Sequence, residues 1–200
     1  MTLTMRMRGK LKTTLISDVT QFASFRVTII IYKFPEPDIS KEVPDMEISK
    51  DDIEKIELTY PDQSYDCEAL AVDPATKDIL LFTKDREEAI SQVFRVPNIS
   101  PAPGEVQVLE NVGVLPLYWV TGGDISPAGD ILALTNKEEA WSFTLPEGLT
   151  WAEYLATSPV PCTLNLEDEE QRESIAVTDT GYWTTSECEG GCPLWYYERM

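Results

Sequence analysis

Short apolar runs alternate along the chain with turns rich in Pro, Gly and Asp, a pattern typical of β-hairpins. The clearest example begins at Thr121, passes through a turn at residues 126–129 and ends in the apolar run 131–135. Variants of this pattern begin at Glu68 and at Glu173. Each variant has an acid, a short apolar run, a turn and a second apolar run that ends in Thr. The sequence therefore predicts an array of antiparallel hairpins.

Other segments carry strand signals outside these hairpins. Residues 25–34 are rich in β-branched and aromatic side chains and end at Pro35, and we expect this strand to have no preceding partner. Residues 38–52 are charged and predict a loop. Residues 53–60 fit a helix or a strand, and we favour a strand because of the segments around them. Further strands are predicted at residues 92–97, 105–109, 140–146 and 193–197, with 105–109 as the fourth strand of its hairpin unit.

The spacing of the repeated pattern indicates the architecture. The leading acids Glu68, Asp124 and Glu173 lie 56 and 49 residues apart, and units of about 50 residues with three or four strands are typical of β-propeller blades. A β-sandwich or a meander is the alternative. We predict an all-β fold, a partial β-propeller with about three four-stranded antiparallel blades and an N-terminal remnant of another.

The predicted boundaries follow from the same pattern. We expect residues 1–24 to be disordered or atypical and residues 25–200 to form the partial propeller, with the remnant at 25–60 and blades from about residues 66, 121 and 173. Closed propellers have about 4 to 8 blades. The missing blades would come from a longer parent chain or from a second copy.

The charge of the chain limits its partners. The formal net charge is −19, yet the first twelve residues contain four basic residues and no acid, so the other 188 residues carry a charge near −23. Such a surface repels phosphate backbones and anionic lipids, so we expect neither nucleic acid nor a membrane as a partner. The absence of His excludes Ser-His-Asp and Cys-His nucleophile systems.

Three motifs resemble a group of poorly characterised secreted proteins with a six-bladed, TolB-like β-propeller. These motifs are residues 66–74, 121–129 and 172–177, and residues 32–37 and 185–188 are also similar to stretches of that group. The resemblance covers about residues 27–198 and departs upstream, where residues 17–24 match poorly. It implies a truncated member of the group and favours a secreted or extracellular parent protein, although residues 1–16 contain no signal peptide.

The leading acids are the candidate metal site. In a propeller, the first strand of each blade lines the central channel, so Glu68, Asp124 and Glu173 are expected to converge there. Three close carboxylates repel unless a cation lies among them, and a set of oxygen ligands suits Ca²⁺. We predict Ca²⁺ at the channel mouth, with Asp66 and Gln171 as further ligands. The alternative is that these acids are solvated or accept hydrogen bonds from a neighbouring blade.

This site favours a ligand- or ion-binding module whose small-molecule or protein partner the sequence does not identify. A metal-dependent hydrolase of the esterase, lactonase or phytase type is the enzyme alternative, in which Ca²⁺ polarises an ester or phosphate. The scarcity of Lys and Arg in the repeats argues against a phosphate substrate. A protein-interaction platform is the third hypothesis.

Cysteines and aromatic residues supply two further predictions. Cys188 and Cys192 are spaced to close a small disulfide loop, which favours an oxidising compartment. Zinc binding is the alternative and would also require Cys67 and Cys162. Six aromatic residues are predicted to pack between blades, with a sugar-binding surface as the alternative: Trp119, Trp141, Trp183, Trp195, Tyr196 and Tyr197.

Overall fold

A computed structural model describes residues 2–6, 13–19, 28–35, 48–85, 88–97, 104–166, 169, 171–187 and 192–199, with side chains from Ile29 onward. The strands are β1 Thr2–Arg6, β2 Thr13–Val19, β3 Thr28–Pro35, β4 Glu54–Thr59, β5 Cys67–Val72, β6 Ile79–Thr83, β7 Ser91–Val96, β8 Val106–Val108, β9 Glu110–Leu115, β10 Gly122–Ile125, β11 Ile131–Thr135, β12 Ala140–Thr144, β13 Cys162–Leu164, β14 Arg172–Val177, β15 Gly181–Ser186 and β16 Leu194–Glu198. A 3-10 helix spans Lys50–Asp52, and helix α1 spans Trp151–Leu155. Among the described residues, no helix has both the length and the apolar character that a bilayer span requires.

The strands form four sheets. Sheet A has the order β1-β2-β3-β4-β8, sheet B β5-β6-β7-β9, sheet C β10-β11-β12-β13 and sheet D β14-β15-β16. Sheets B and C are four-stranded antiparallel meanders, and sheet D has three antiparallel strands within the described part of the chain. The all-β fold of repeated antiparallel sheets agrees with the predicted partial propeller.

Polar side chains in the turns explain why each hairpin folds where the sequence predicts. Asp73 accepts hydrogen bonds from the Ala75 backbone N–H and from the Thr76 hydroxyl, both at 2.8 Å. Ser126 Oγ accepts from the backbone N–H groups of Asp130 and Ile131. These bonds satisfy turn backbone groups locally, as Asx and Ser turns do.

The sheets pack face to face in the order A, B, C, D. Alternate residues of β11 point to opposite neighbours, because successive side chains of a strand lie on opposite faces. Leu132 and Leu134 join the core that sheet C shares with sheets A and B, whereas Ala133 packs with Ile175 and Val177 of sheet D. One apolar layer therefore lies between each pair of neighbouring sheets.

The structure corrects two expectations about strand pairing. Strand β3 is not without a preceding partner, because it pairs along its length with β2, which itself pairs with β1 in the segment expected to be disordered or atypical. Strand β8 lies where a fourth strand of sheet B was predicted, yet it pairs in parallel with β4 of sheet A. Strand β9 takes the fourth position in sheet B instead.

Helix α1 was not predicted. Thr150 and Glu153 form a capping box at its start, in which each side chain bonds the backbone N–H of the other residue. Trp151 is buried and its Nε1 donates to the Gly129 carbonyl at 2.9 Å. The helix therefore ties the connection between β12 and β13 to the hairpin turn of sheet C.

Candidate functional site

The first strands of sheets B, C and D lie side by side, as the propeller prediction requires. Strand β10 is in the middle, and its two glycines allow close approach. A Cβ atom at Gly122 would lie 2.9 Å from Ser174 Cα, and one at Gly123 would lie 3.9 Å from Ala69 Cβ. These inner strands position the predicted site residues.

The pairing register shows which positions of the three inner strands are equivalent. Each inner strand ends in an apolar residue that pairs with an apolar residue at the start of the next strand, the first residue of β6 and the second of β11 and β15: Val72 with Ile79, Ile125 with Leu132 and Val177 with Tyr182. Counting back four residues from each end gives Glu68, Thr121 and Glu173.

Asp124 therefore does not share a position with Glu68 and Glu173. It is one residue before the end of its strand, as Ala71 and Ala176 are in theirs. The register shifts at Glu68 in β5 and at Glu173 in β14, and the recorded pairing of β10 begins one residue after Thr121, at Gly122. Counted from the end of its strand, Asp124 thus lies three residues further along than Glu68 and Glu173 do along theirs.

Lysine side chains accompany the two equivalent glutamates. Lys84 Nζ lies 2.5 Å from Glu68 Oε2, and both side chains are 11% exposed. Lys137 Nζ lies 3.0 Å from Glu173 Oε1. Counting forward five residues from Ile79, Leu132 and Tyr182 reaches Lys84, Lys137 and Glu187, which are therefore equivalent positions. Because sheet C has Thr121 instead of a glutamate, Lys137 reaches the acid of sheet D.

Two of the predicted cation ligands, Glu173 and Gln171, lie around the ammonium group of Lys137. Besides Glu173, it lies 3.4 Å from Gln171 Oε1 and 3.4 Å from Glu187 Oε2. The second carboxylate oxygen of Glu173, Oε2, is buried and has no hydrogen-bond partner. The ammonium group thus supplies part of the positive charge that the acids require.

Asp124 is held by the neighbouring sheet. Its Oδ2 accepts a hydrogen bond from the Val177 backbone N–H at 2.8 Å. Burial raises the pKa of Asp124 to about 7, although this hydrogen bond and one from Ile125 act in the opposite direction. A carboxyl group with this pKa can both accept and release a proton near neutral pH.

Within the part of the chain that the structure describes, no three His, Cys, Asp or Glu residues are grouped so as to hold a metal ion. Glu68, Asp124 and Glu173 instead have the partners given above, and the backbone carbonyl of Asp66 accepts from Lys84 N at 2.7 Å. The Ca²⁺ site stays a prediction.

An exposed tryptophan lies next to these residues in sequence. Trp119 lies two residues before Thr121, as Gln171 lies two residues before Glu173. It is 42% exposed, and its φ of 55° is the same as that of Gln171. A bulky side chain is rare in this left-handed region. Core packing between blades, expected for all six aromatics, holds for buried Trp141 but not for Trp119, Trp183, Trp195 and Tyr196, which are 38–42% exposed.

A buried ion pair was missed by the sequence analysis. Glu169 Oε2 lies 3.2 Å from Arg172 Nε, with side-chain exposures of 2% and 1%. Glu169 also accepts hydrogen bonds from the hydroxyls of Thr184, Ser186 and Tyr197, which connect the pair to β15 and β16. This network stabilises sheet D beside the candidate site.

The structure describes three of the four cysteines, Cys67, Cys162 and Cys192. Cys67 is a buried free thiol whose pKa is raised to about 12 by burial, and Cys162 is an exposed free thiol. Cys188 lies outside the described residues. The pairing of Cys188 with Cys192 stays a prediction.

Comparisons with known proteins support the fold. No protein-family model matches the sequence, and a search of curated proteins finds no relative. Among solved structures, a gluconolactonase from Xanthomonas campestris is similar, with a TM-score of 0.51 and 9% identity, over 94% of this chain and 54% of that one. Prolyl oligopeptidase B from Galerina marginata aligns with a TM-score of 0.35 and 11% identity, over 94% of this chain and 27% of that one.

The likeness to the gluconolactonase supports a β-propeller fold and does not identify the TolB-like group. The chain spans about half the length of that gluconolactonase. At 9% identity, the similarity establishes the fold alone.

Proposed function

We propose that the chain is the ligand- or ion-binding part of a β-propeller. Its site lies at the start of the inner strands, where Glu68, Thr121 and Glu173 occupy equivalent positions. One observation supports this proposal: a carboxylate and an ammonium group form an ion pair at this place twice, as Glu68 with Lys84 and as Glu173 with Lys137. Such repeated polar pairs at the inner end of a propeller suit a small polar ligand.

Ca²⁺ is the ion that we propose for this site. Glu173 is the best candidate ligand, because its Oε2 is buried without a partner and a buried carboxylate oxygen gains most from a bound cation. Gln171 and Glu187 lie around the same ammonium group and can turn toward an ion that displaces it.

Isothermal titration calorimetry with Ca²⁺ tests this proposal. We expect saturable heat for the wild type, lost in Glu173→Gln and kept in Glu147→Gln, which removes one exposed carboxylate elsewhere. Mg²⁺ provides the control for simple charge screening, since the larger Ca²⁺ accepts irregular oxygen shells more readily. The absence of heat with Ca²⁺, or equal binding by Glu173→Gln, would rule out the ion site.

A lactonase-like hydrolase is the second candidate, and the observation that favours it is Asp124. Its raised pKa suits a general base that takes a proton from water as the water attacks a lactone carbonyl. The similar solved structure is a gluconolactonase. A bound Ca²⁺ would supply polarisation of the carbonyl in such a site.

Release of acid from glucono-1,5-lactone, measured at constant pH, tests the hydrolase. We expect a rate above the spontaneous one that falls at least about tenfold in Asp124→Asn, because a general base contributes roughly 10²–10⁴-fold. Glu147→Gln should keep the wild-type rate. A wild-type rate equal to that of buffer would leave only the binding function.

A further inference from the structure

The two sheets at the ends of the stack each expose apolar side chains on their outer face. On sheet D, the cross-strand row Ala176, Trp183 and Tyr196 faces away from sheet C, because Val177 and Tyr182, one residue along their strands, face it. Trp183 is 38% exposed and its ring centroid lies 4.8 Å from that of Tyr196. Leu194, on the same face two residues from Tyr196, is 66% exposed. We call Trp183, Leu194 and Tyr196 the D face.

The opposite end of the stack has a matching surface. In sheet A, Ile56 and Leu58 are buried toward sheet B, so the alternate row of Ile30, Glu57 and Val106 lies on the outer face. Val108 belongs to the same face, and the two valines are 46% and 58% exposed. Tyr32, which pairs with Lys55, lies on this face as well, and the exposed ion pair of Lys55 and Glu57 crosses it. We call its apolar residues, Ile30, Tyr32, Val106 and Val108, the A face.

We propose that the D face of one chain packs on the A face of a second copy, and that two copies close a ring in this head-to-tail manner. The contact would continue the existing series, in which A packs on B, B on C and C on D through one apolar layer each. Two copies supply eight sheets, which lies within the range of about 4 to 8 blades found in closed propellers. A contact of D face with D face would leave both A faces exposed.

The charge of the two ends is consistent with the same orientation. Residues 1–59, which include strands β1 to β4 of sheet A, contain nine basic and ten acidic residues, a net charge of −1. Residues 165–200, which include sheet D, contain two basic and nine acidic residues, a net charge of −7. A contact between two D faces would bring two acidic ends together, whereas a head-to-tail contact brings an acidic end to a nearly neutral one.

The test uses the full chain and two variants that each place a charge on one face, Trp183→Glu for the D face and Val108→Glu for the A face. Multi-angle light scattering should give the mass of two chains for the wild type and of one chain for each variant. Trp119→Glu is the matched control, because Trp119 is equally exposed but lies on neither face, and it should keep the mass of two chains.

Mixing the variants distinguishes head-to-tail contact from the alternatives. The Val108→Glu chain keeps its D face and the Trp183→Glu chain keeps its A face, so an equimolar mixture should recover a two-chain species through a single contact. A monomeric wild type would overturn the proposal. So would a two-chain Val108→Glu variant, which would indicate contact between two D faces. Circular dichroism must show native strand content, and Tyr196→Lys and Val106→Lys replace any variant that fails to fold.

Discussion

The Oδ2 atom of Asp124 accepts a hydrogen bond from the backbone N–H of Val177 at 2.8 Å, and this bond joins the inner strands of sheets C and D. The two residues are 53 positions apart in the chain. Their contact depends on Gly122, where a side chain would meet the backbone of Ser174 and Glu173. A carboxylate that was predicted to bind a cation thus bonds a neighbouring sheet, which is the alternative that the sequence left open.

The raised pKa of Asp124 predicts how stability changes with pH. The folded pKa is about 7, against about 3.9 for Asp in an unfolded chain. The folded state therefore binds the proton more tightly, so this stabilisation is complete below about pH 4 and is lost as the pH rises to about 7. The slope is about 1.4 kcal/mol per pH unit.

Asp124→Asn removes that slope, because its carboxamide does not ionise but its oxygen can still accept from Val177 N–H. Urea denaturation between pH 4.5 and 7.5 measures the free energy of unfolding of both proteins. The difference between wild type and variant should change steadily over this range. Parallel pH profiles would show that Asp124 titrates normally.

The sequence predicts where the hairpins lie, but it does not predict which residues of one hairpin correspond to which residues of the next. Pro, Asp, Ser and Gly mark the turns at residues 73–78 and 126–129, and local hydrogen bonds to Asp73 and Ser126 explain why these signals are reliable. Bulges at the start of β5 and β14 lengthen those strands by one residue, which no local signal reveals. The parallel pairing of β8 with β4 likewise depends on contacts almost 50 residues away.

The position of a lysine just after the second strand of a hairpin is a sequence signal for an ion pair. Lys84 and Lys137 follow the second strand of their hairpins, each within two residues of the Thr that ends the strand. In an antiparallel hairpin, that position lies beside the start of the first strand, where the acids are. For Glu68 and Lys84, an acid at one end and a Lys at the other therefore predict an ion pair. This signal does not predict the pair of Lys137 with Glu173, because Glu173 belongs to the neighbouring sheet. For the Glu169–Arg172 pair, the sequence shows only a run of charged residues, and such a run usually marks a solvated loop.

Removing the ammonium group of Lys137 should strengthen Ca²⁺ binding at the proposed site. In Lys137→Met, Glu173 and Glu187 lose a competing positive charge that lies 3.0 Å and 3.4 Å away. Since Lys137 is one-third exposed and screened by solvent, we expect a dissociation constant lower by roughly tenfold. Calorimetry at fixed ionic strength measures it. Lys50→Met, at an exposed site, should bind as the wild type does, and weaker binding by Lys137→Met would contradict the prediction.

The buried residues Glu169 and Arg172 should show a large coupling energy in a double-mutant cycle. Glu169→Gln or Arg172→Met alone leaves one charge buried at 1–2% exposure, which costs about 3–5 kcal/mol. The double variant should cost less than the sum, because neither charge remains. Thermal denaturation of the four proteins gives the coupling energy. As a control, Glu54→Gln breaks the exposed pair with Lys33 and should change stability by less than about 1 kcal/mol.

Ser158 lies three residues after the end of helix α1, in a conformation that favours glycine. Its φ is 52°, and its backbone N–H donates to the Leu155 carbonyl at 3.0 Å, as expected for a residue just after a helix. A left-handed conformation costs a residue with a Cβ roughly 1–2 kcal/mol, and the greater unfolded-state freedom of Gly offsets about half of that. Ser158→Gly should therefore raise the free energy of unfolding by about 0.5–1 kcal/mol, as measured by urea denaturation. Ser158→Ala keeps the Cβ and should show no gain, so equal stability of the two variants would mean that the backbone at residue 158 carries no strain.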